Sequence, residues 1–177
     1  MDMIRKLLRC RRGVAAVEAA LSIPILITMF VGMVELTAYI EAHRKALTAA
    51  QTVADLVAQE SSISDATLAD IRLAADAIMN PLATDTVSVT IASVGFDEQG
   101  DSDLLWEDKE AGGSSVSITD ADGLGSPNES VIVVKMSYEY NSPFGFMFES
   151  ESFENDAFAR PRITRRIALN GQVDHTS

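Results

Sequence analysis

Cysteine and histidine are scarce in this chain of 177 residues. The only cysteine is Cys10, so neither an intramolecular disulfide nor a cysteine-based metal site can form. The two histidines, His43 and His175, are far apart in the sequence, and no catalytic motif surrounds either. The G-x-S-x-G, H-E-x-x-H, Walker and Rossmann glycine patterns are also missing. These absences predict a protein that is not an enzyme and has no cofactor and no catalytic metal.

Basic residues are scarce beyond residue 40. Residues 41–177 carry nine Lys and Arg against 23 Asp and Glu, which gives this part a net charge of −14. Residues 1–13, in contrast, carry five basic residues against Asp2 alone. A strongly acidic domain lacks the basic surface that neutralises nucleic-acid phosphates, so we expect no nucleic-acid partner.

One acidic stretch resembles the start of a calcium loop. In Asp120-Ala121-Asp122-Gly123 the carboxylates alternate before a glycine, which suits a hard cation. The later carboxylates of such a loop are missing at the required spacing, so the pattern leaves calcium binding open.

The longest apolar stretch follows the basic residues. Residues 14–40 would form a helix about 40 Å long, against a hydrocarbon core of about 30 Å. The uncharged part, Ala19–Val34, covers only about 24 Å, which places Glu18 and Glu35 near the two membrane edges. No small-residue cleavage site follows, as it would after a signal peptide. We predict a retained transmembrane helix over residues 14–40. Its notable residues are Pro24 and Gly32, where it can bend, and Glu35.

Charge on either side of this helix predicts its orientation. Five basic residues precede the helix, and only Arg44 and Lys45 closely follow it. The positive-inside bias makes residues 1–13 a basic cytoplasmic leader and residues 41–177 an exported domain.

The helical pattern continues past the predicted span. Residues 41–59 keep small or apolar side chains at three-to-four spacing and contain no Pro or Gly, which predicts one helix from about 15 to about 59. Ser64 can cap a second helix over about 65–79, which Asn80-Pro81 would end.

From about residue 86 the apolar period changes to two, which is typical of half-buried strands. The clearest strand covers residues 130–140 and is expected to be central and antiparallel. Further strands are predicted at 86–95, 104–106 and 116–118, and at 152–158 or 163–169. The predicted fold class is α+β, with a long N-terminal helix, a short second helix and a small antiparallel sheet with long loops.

Two later segments have more than one interpretation. The apolar loop 143–148 (PFGFMF) either folds back on the core or forms a patch for a partner. Four arginines between residues 160 and 166 follow an acidic cluster over residues 149–156. They either attract that cluster or form a solvated surface.

Glu18 also has two interpretations. In the simpler one it is an interfacial carboxylate, for which the cost is below the roughly 3 kcal/mol of a charge at the centre of a membrane helix. In the other, cleavage after Gly13 makes Val14 a new N-terminus, and Glu18 neutralises that ammonium on a neighbouring subunit. Such a pair in a low dielectric would also set the axial register between subunits.

Three segments carry a family resemblance: residues 11–21 (RRGVAAVEAAL), 23–26 (IPIL) and 32–36 (GMVEL). They resemble the TadE-like family of tight-adherence (Flp, type IVb) pilus-assembly proteins. The segment 157–162 (AFARPR) looks like the family's C-terminal region, while the middle of the chain is similar in layout only.

The resemblance implies a pilin-like fold in a single-pass protein of the bacterial inner membrane, with a periplasmic C-terminal domain. A prepilin peptidase would cut between Gly13 and Val14. The other partners would be pilin-like subunits, the pilus assembly platform and the lipid bilayer.

Two departures from the major Flp pilins favour a minor role. Ala19 follows Glu18 where major pilins commonly carry an aromatic residue, and the exported domain is larger than theirs. The resemblance thus implies a minor pilin or pseudopilin that acts in pilus biogenesis and surface adhesion. The alternative is an uncleaved single-pass scaffold or binding protein of the secretion platform.

Overall fold

The computed structural model describes residues 11–142, 144, 145, 147 and 149–174, without the side chains of residues 11 and 12. Most of the predicted leader, with Cys10, and also His175 lie outside the described residues. The helices are α1 (Arg11–Ala58) and α2 (Asp65–Met79), and a 3₁₀ turn covers Ile118–Ala121. The strands are β1 (Ser62–Ile63), β2 (Ser88–Phe96), β3 (Ser102–Lys109), β4 (Ser130–Asn141), β5 (Ser150–Ala159) and β6 (Ala168–Leu169). This order confirms the predicted α+β class.

Helix α1 is continuous over 48 residues and passes through Pro24. From Ala42 onward its buried side chains recur at three-to-four spacing, and most are small. The buried residues of α1 are Glu35, Ala42, Ala46, Ala49, Ala50, Val53, Ala54, Val57 and Ala58. Alanine at these positions lets the helix approach the sheet and α2 closely. The prediction of one helix from about residue 15 to about residue 59 is confirmed.

Helix α2 begins and ends at the predicted signals. The Ser64 Oγ accepts a hydrogen bond from the Thr67 N–H at 3.3 Å, which caps the N-terminus. At the other end the Asn80 N–H donates to the Asp76 carbonyl, and Pro81 has no N–H with which to continue. The apolar face of α2 joins the same core as α1.

The main sheet is antiparallel with the strand order β3-β2-β4-β5, so β4 is central, as predicted. Even-numbered β4 residues from Ile132 to Tyr140 face the two helices, and Val131 and Val133 face a smaller apolar cluster on the other side. The Trp106 indole N–H donates to the Ile167 carbonyl at 2.8 Å, which joins β3 to the C-terminal segment.

The predicted short strands at 104–106 and 116–118 were partly wrong. Strand β3 is longer than predicted, and its Asp108 pairs with Arg72 of α2. No strand forms at 116–118, where the Val116 N–H donates to the Glu107 Oε1 at 2.7 Å instead of to a neighbouring strand. Of the two alternatives for the last strand, the first is confirmed, since β5 covers all of it. The second occurs only in part, as the two-residue strand β6, which is parallel to β1.

The arginines after β5 do not pair with the acidic cluster that precedes them, within the part of the chain that is described. Arg160 donates to the Leu124 carbonyl, Arg162 pairs with Asp55 of α1, and Arg166 donates to the Phe96 carbonyl. These contacts hold the C-terminal segment to three other parts of the domain. Attraction to the acidic cluster was therefore the wrong explanation.

Candidate membrane and assembly site

The first part of α1 projects from the domain. Every residue from Gly13 to Phe30 is exposed, a length of about 27 Å for 18 helical residues. An 18-residue window of this helix has a mean hydropathy of 2.2, and none of the window is buried in the protein. Among the described residues this is the one helix long and apolar enough to cross a membrane. It indicates a membrane-anchored, single-pass protein.

The predicted cleavage and register residues lie at the start of this projecting part. Val14 is exposed, and Glu18 lies about one helical turn further along. A Cβ placed on Gly13 would have no atom within 4 Å. The backbone here is helical and open, so another protein could reach it. Cleavage at Gly13 and pairing by Glu18 stay predictions.

Glu35 lies where the domain begins to contact α1. Its side chain is completely buried, and its two carboxylate oxygens accept hydrogen bonds from the Ser142 hydroxyl and from the Met147 N–H, the latter at 2.6 Å. We predicted it only as an edge residue of the anchor. The structure shows that it also holds the loop between β4 and β5, which we call the anchor loop (residues 142–149).

The anchor loop also contacts α1 through Gly32. A Cβ on Gly32 would lie 3.2 Å from the Met147 Sδ, so the absence of a side chain makes room for this methionine. At the base of the loop, the Ser142 Oγ accepts hydrogen bonds from the N–H groups of Phe144 and Gly145, at 3.4 and 3.2 Å. Of the two predicted interpretations of this segment, its described residues favour folding back on the protein.

Aromatic side chains pack the part of α1 that follows Glu35 against the sheet. Tyr39 packs edge-on against Tyr140 and Phe153, with ring centroids 5.6 and 6.1 Å apart. His43 makes a similar contact with Phe153 at 5.0 Å. Burial raises the pKa of the Tyr140 phenol, so this ring stays neutral at physiological pH. The contact with Phe153 gives His43 a role in packing α1 against the sheet.

The outer face of the sheet carries a cluster of charges around Lys135. Its Nζ lies 3.0 Å from Asp120 and 3.5 Å from Glu154. The hydrogen bond from Lys135 lowers the pKa of Asp120, whereas burial raises the pKa of Asp156. Because Asp120 forms an ion pair with Lys135, it is poorly placed to be the first ligand of a calcium loop. Among the described residues, no group of three or more His, Cys, Asp or Glu side chains could hold a metal ion.

An open cleft of about 530 Å³ lies between α1 and α2, lined by Thr37, Ile40, Glu41, Arg44, Lys45, Thr48 and Ile78. Lys45 lies 3.9 Å from Glu41 and donates to the Asn80 carbonyl. The Lys45 ammonium in this cleft therefore has partners within the protein.

Comparison with known proteins matches the chain to a family model. The model of a family described as TadE-like protein matches residues 13–55, from the first exposed turn of α1 almost to the end of the helix. No curated protein and no solved structure matches the chain. The match confirms the resemblance of the N-terminal segments and indicates a part in tight-adherence pilus assembly.

Proposed function

We propose that this chain, which matches the TadE-like family over residues 13–55, is a minor pilin or pseudopilin of a tight-adherence pilus system. In this role α1 anchors the protein in the bacterial inner membrane, and the α+β domain contacts other pilin-like subunits on the periplasmic side. The protein is non-catalytic and acts in pilus biogenesis and adhesion.

One observation carries the proposal: an exposed apolar half of α1 is continuous with a buried half that packs in the domain. Such a helix can be held by lipid before assembly and by the helices of neighbouring subunits after it. Both environments suit the exposed side chains of Gly13–Phe30, which are apolar except for Ser22, Thr28 and Glu18.

The orientation in this proposal follows from charge. Arg11 and Arg12 lie at the N-terminal end of the apolar segment, whereas the domain at the other end is strongly acidic. The positive-inside bias therefore keeps the leader in the cytoplasm, where a prepilin peptidase would cut between Gly13 and Val14.

Mass spectrometry of the intact protein purified from membranes tests this role. We expect a chain that begins at Val14. The matched control is Gly13→Leu, because the open space around Gly13 accommodates a side chain without disturbing the fold. This variant should stay uncut and be absent from sheared pili. A wild-type chain that retains residues upstream of Val14 would favour the alternative, an uncleaved scaffold of the secretion platform.

A further inference from the structure

The anchor loop lies at the depth where the membrane surface would be. Gly32 is 19 helical steps from Gly13, about 29 Å, and 13 steps from Ala19, about 20 Å. A hydrocarbon core of about 30 Å that begins at either residue therefore ends at Gly32 or up to about 10 Å beyond it. Met147 contacts Gly32 and so lies at the same depth.

Burial of Glu35 lengthens the apolar face that α1 can offer to lipid. The sequence alone limited the uncharged segment to Ala19–Val34, which is too short for a full span. Because the Glu35 carboxylate is buried beneath the anchor loop, the exposed side of α1 stays uncharged as far as Ile40. That face is about 33 Å long for 22 residues, enough to span the hydrocarbon core.

The described residues between Ser142 and Glu149 are apolar and exposed, whereas Glu149 at the end of the anchor loop is charged and exposed. Phe144 is 60% exposed and Met147 54% exposed, although both lie in a loop that folds against the protein. No residue from 142 to 148 is charged. Electrostatic attraction to anionic lipid cannot account for this loop, since the exported domain is acidic; the contact with lipid would be apolar.

The described backbone N–H groups of the loop have the hydrogen-bond partners that an apolar environment requires. A loop in contact with lipid needs partners for its N–H groups, because an unpaired group there costs several kcal/mol. Every described residue between 142 and 147 has such a partner. Ser142 donates to the Glu149 carbonyl, Phe144 and Gly145 donate to the Ser142 Oγ, and Met147 donates to Glu35.

From these observations we infer that the anchor loop is a second membrane contact, which inserts Phe144 and Met147 into the lipid leaflet on the domain's side of the membrane. The depth lies between the boundary of headgroups and acyl chains and about 10 Å inside it. Glu35 is the residue that positions the loop. The inference rests on the membrane anchoring in the proposed function, but it requires neither leader cleavage nor pilus assembly.

Spin labels on the full chain in neutral phosphatidylcholine vesicles test this inference. In a Cys10→Ser background, single labels are placed at Phe144→Cys, at Phe30→Cys in the anchor, and at Ile163→Cys. Ile163 is the matched control, because it is 69% exposed and lies beside Arg162, whose N–H donates to the C-terminal end of α1. Collisions with oxygen report contact with lipid, and collisions with a water-soluble nickel chelate report contact with water.

We expect the labels at 144 and 30 to collide more with oxygen than with the chelate, and the label at 163 to show the reverse. A label at 144 that behaves like the one at 163 would overturn the inference while leaving the anchor intact. Protection of label 144 from both reagents would also overturn it, because a label in contact with lipid collides with oxygen. A label at 30 that contacts water would contradict membrane anchoring by α1. The proposed lipid contact of the loop, which rests on that anchoring, would then fail as well.

Discussion

Glu35 accepts a hydrogen bond from the backbone N–H of Met147 at 2.6 Å, across 112 residues of sequence. The same carboxylate accepts from the Ser142 hydroxyl, so one side chain of α1 holds the anchor loop at two positions, Ser142 and Met147. A glutamate in a membrane anchor normally suggests a charge at the surface or a functional ion pair. Here the carboxyl oxygens instead accept hydrogen bonds from the protein's own domain.

Replacing Glu35 with Ala should release the anchor loop. Loss of a hydrogen bond to a charged group costs about 1.5–3 kcal/mol, and each 1.4 kcal/mol is about tenfold in an equilibrium. Amide hydrogen exchange of Gly145 and Met147, measured in detergent micelles, should therefore rise by about 10–100-fold. The control is Glu41→Ala, which removes an exposed carboxylate 3.9 Å from Lys45 and should leave this exchange unchanged. Equal effects in the two variants would show that Glu35 does not hold the loop.

Gly32→Leu should displace the same loop by a steric route. The new side chain would occupy the position of the Met147 Sδ, which lies 3.2 Å from a Cβ at this position. Leu favours a helix over Gly by up to about 1 kcal/mol, so weakening of α1 cannot explain the result. We expect faster chymotrypsin cleavage after Phe144. A second substitution, Met147→Ala, should restore room for the new side chain and slow the cleavage again; if it does not, the Gly32–Met147 contact is not the cause.

Lys135→Met should destabilise the domain in a pH-dependent way. Its hydrogen bond lowers the pKa of Asp120, so the stabilisation is present above the unfolded pKa of about 4 and is lost as pH falls through the folded pKa. At pH 7 we expect a loss of about 1–3 kcal/mol in the free energy of unfolding, which shrinks below about pH 4. Urea unfolding measures the loss at pH 7 and its decrease at lower pH. Unfolding is followed by the fluorescence of Trp106, which is the only tryptophan and is buried. Lys109→Met, at an exposed position, should show a small effect with no such pH trend. A pH-independent loss at Lys135 would assign its role to packing.

Glu18→Ala tests the register role in the proposed function. If Glu18 pairs with the Val14 ammonium of a neighbouring subunit, loss of its charge should reduce the amount of this protein in sheared pili. Glu18→Asp keeps the charge and should retain part of the incorporation, whereas Glu18→Gln should behave like the Ala variant. Wild-type incorporation and adhesion of Glu18→Ala would leave the simpler interpretation, an interfacial carboxylate.

The elements that the sequence predicted well are those with a strong local period. Helix α1 has small residues at three-to-four spacing, α2 has a capping serine and a terminating proline, and β4 alternates over its whole length. These signals depend only on neighbours within a few residues. They were sufficient for the fold class and the central position of β4.

The errors came from contacts between distant residues. Strand β3 was predicted too short, at 104–106, because the pairing of Asp108 with Arg72 is not visible in the local pattern. The role of Glu35 was missed for the same reason, since its partners lie more than 100 residues away. One signal was available: a glutamate in an apolar helix needs hydrogen-bond donors, and the apolar loop 143–148 supplies N–H groups that need an acceptor.

The continuity of α1 has a mechanical consequence. The helix is continuous over about 72 Å, so no linker separates its apolar half from the half that packs in the core. A force that pulls the N-terminal half along the helix axis therefore acts directly on the domain. The load is resisted in shear, by the alanine-lined contact with the sheet and by the Glu35 bonds at its edge. Withdrawal of this helix from lipid would therefore move anchor, loop and sheet as one body.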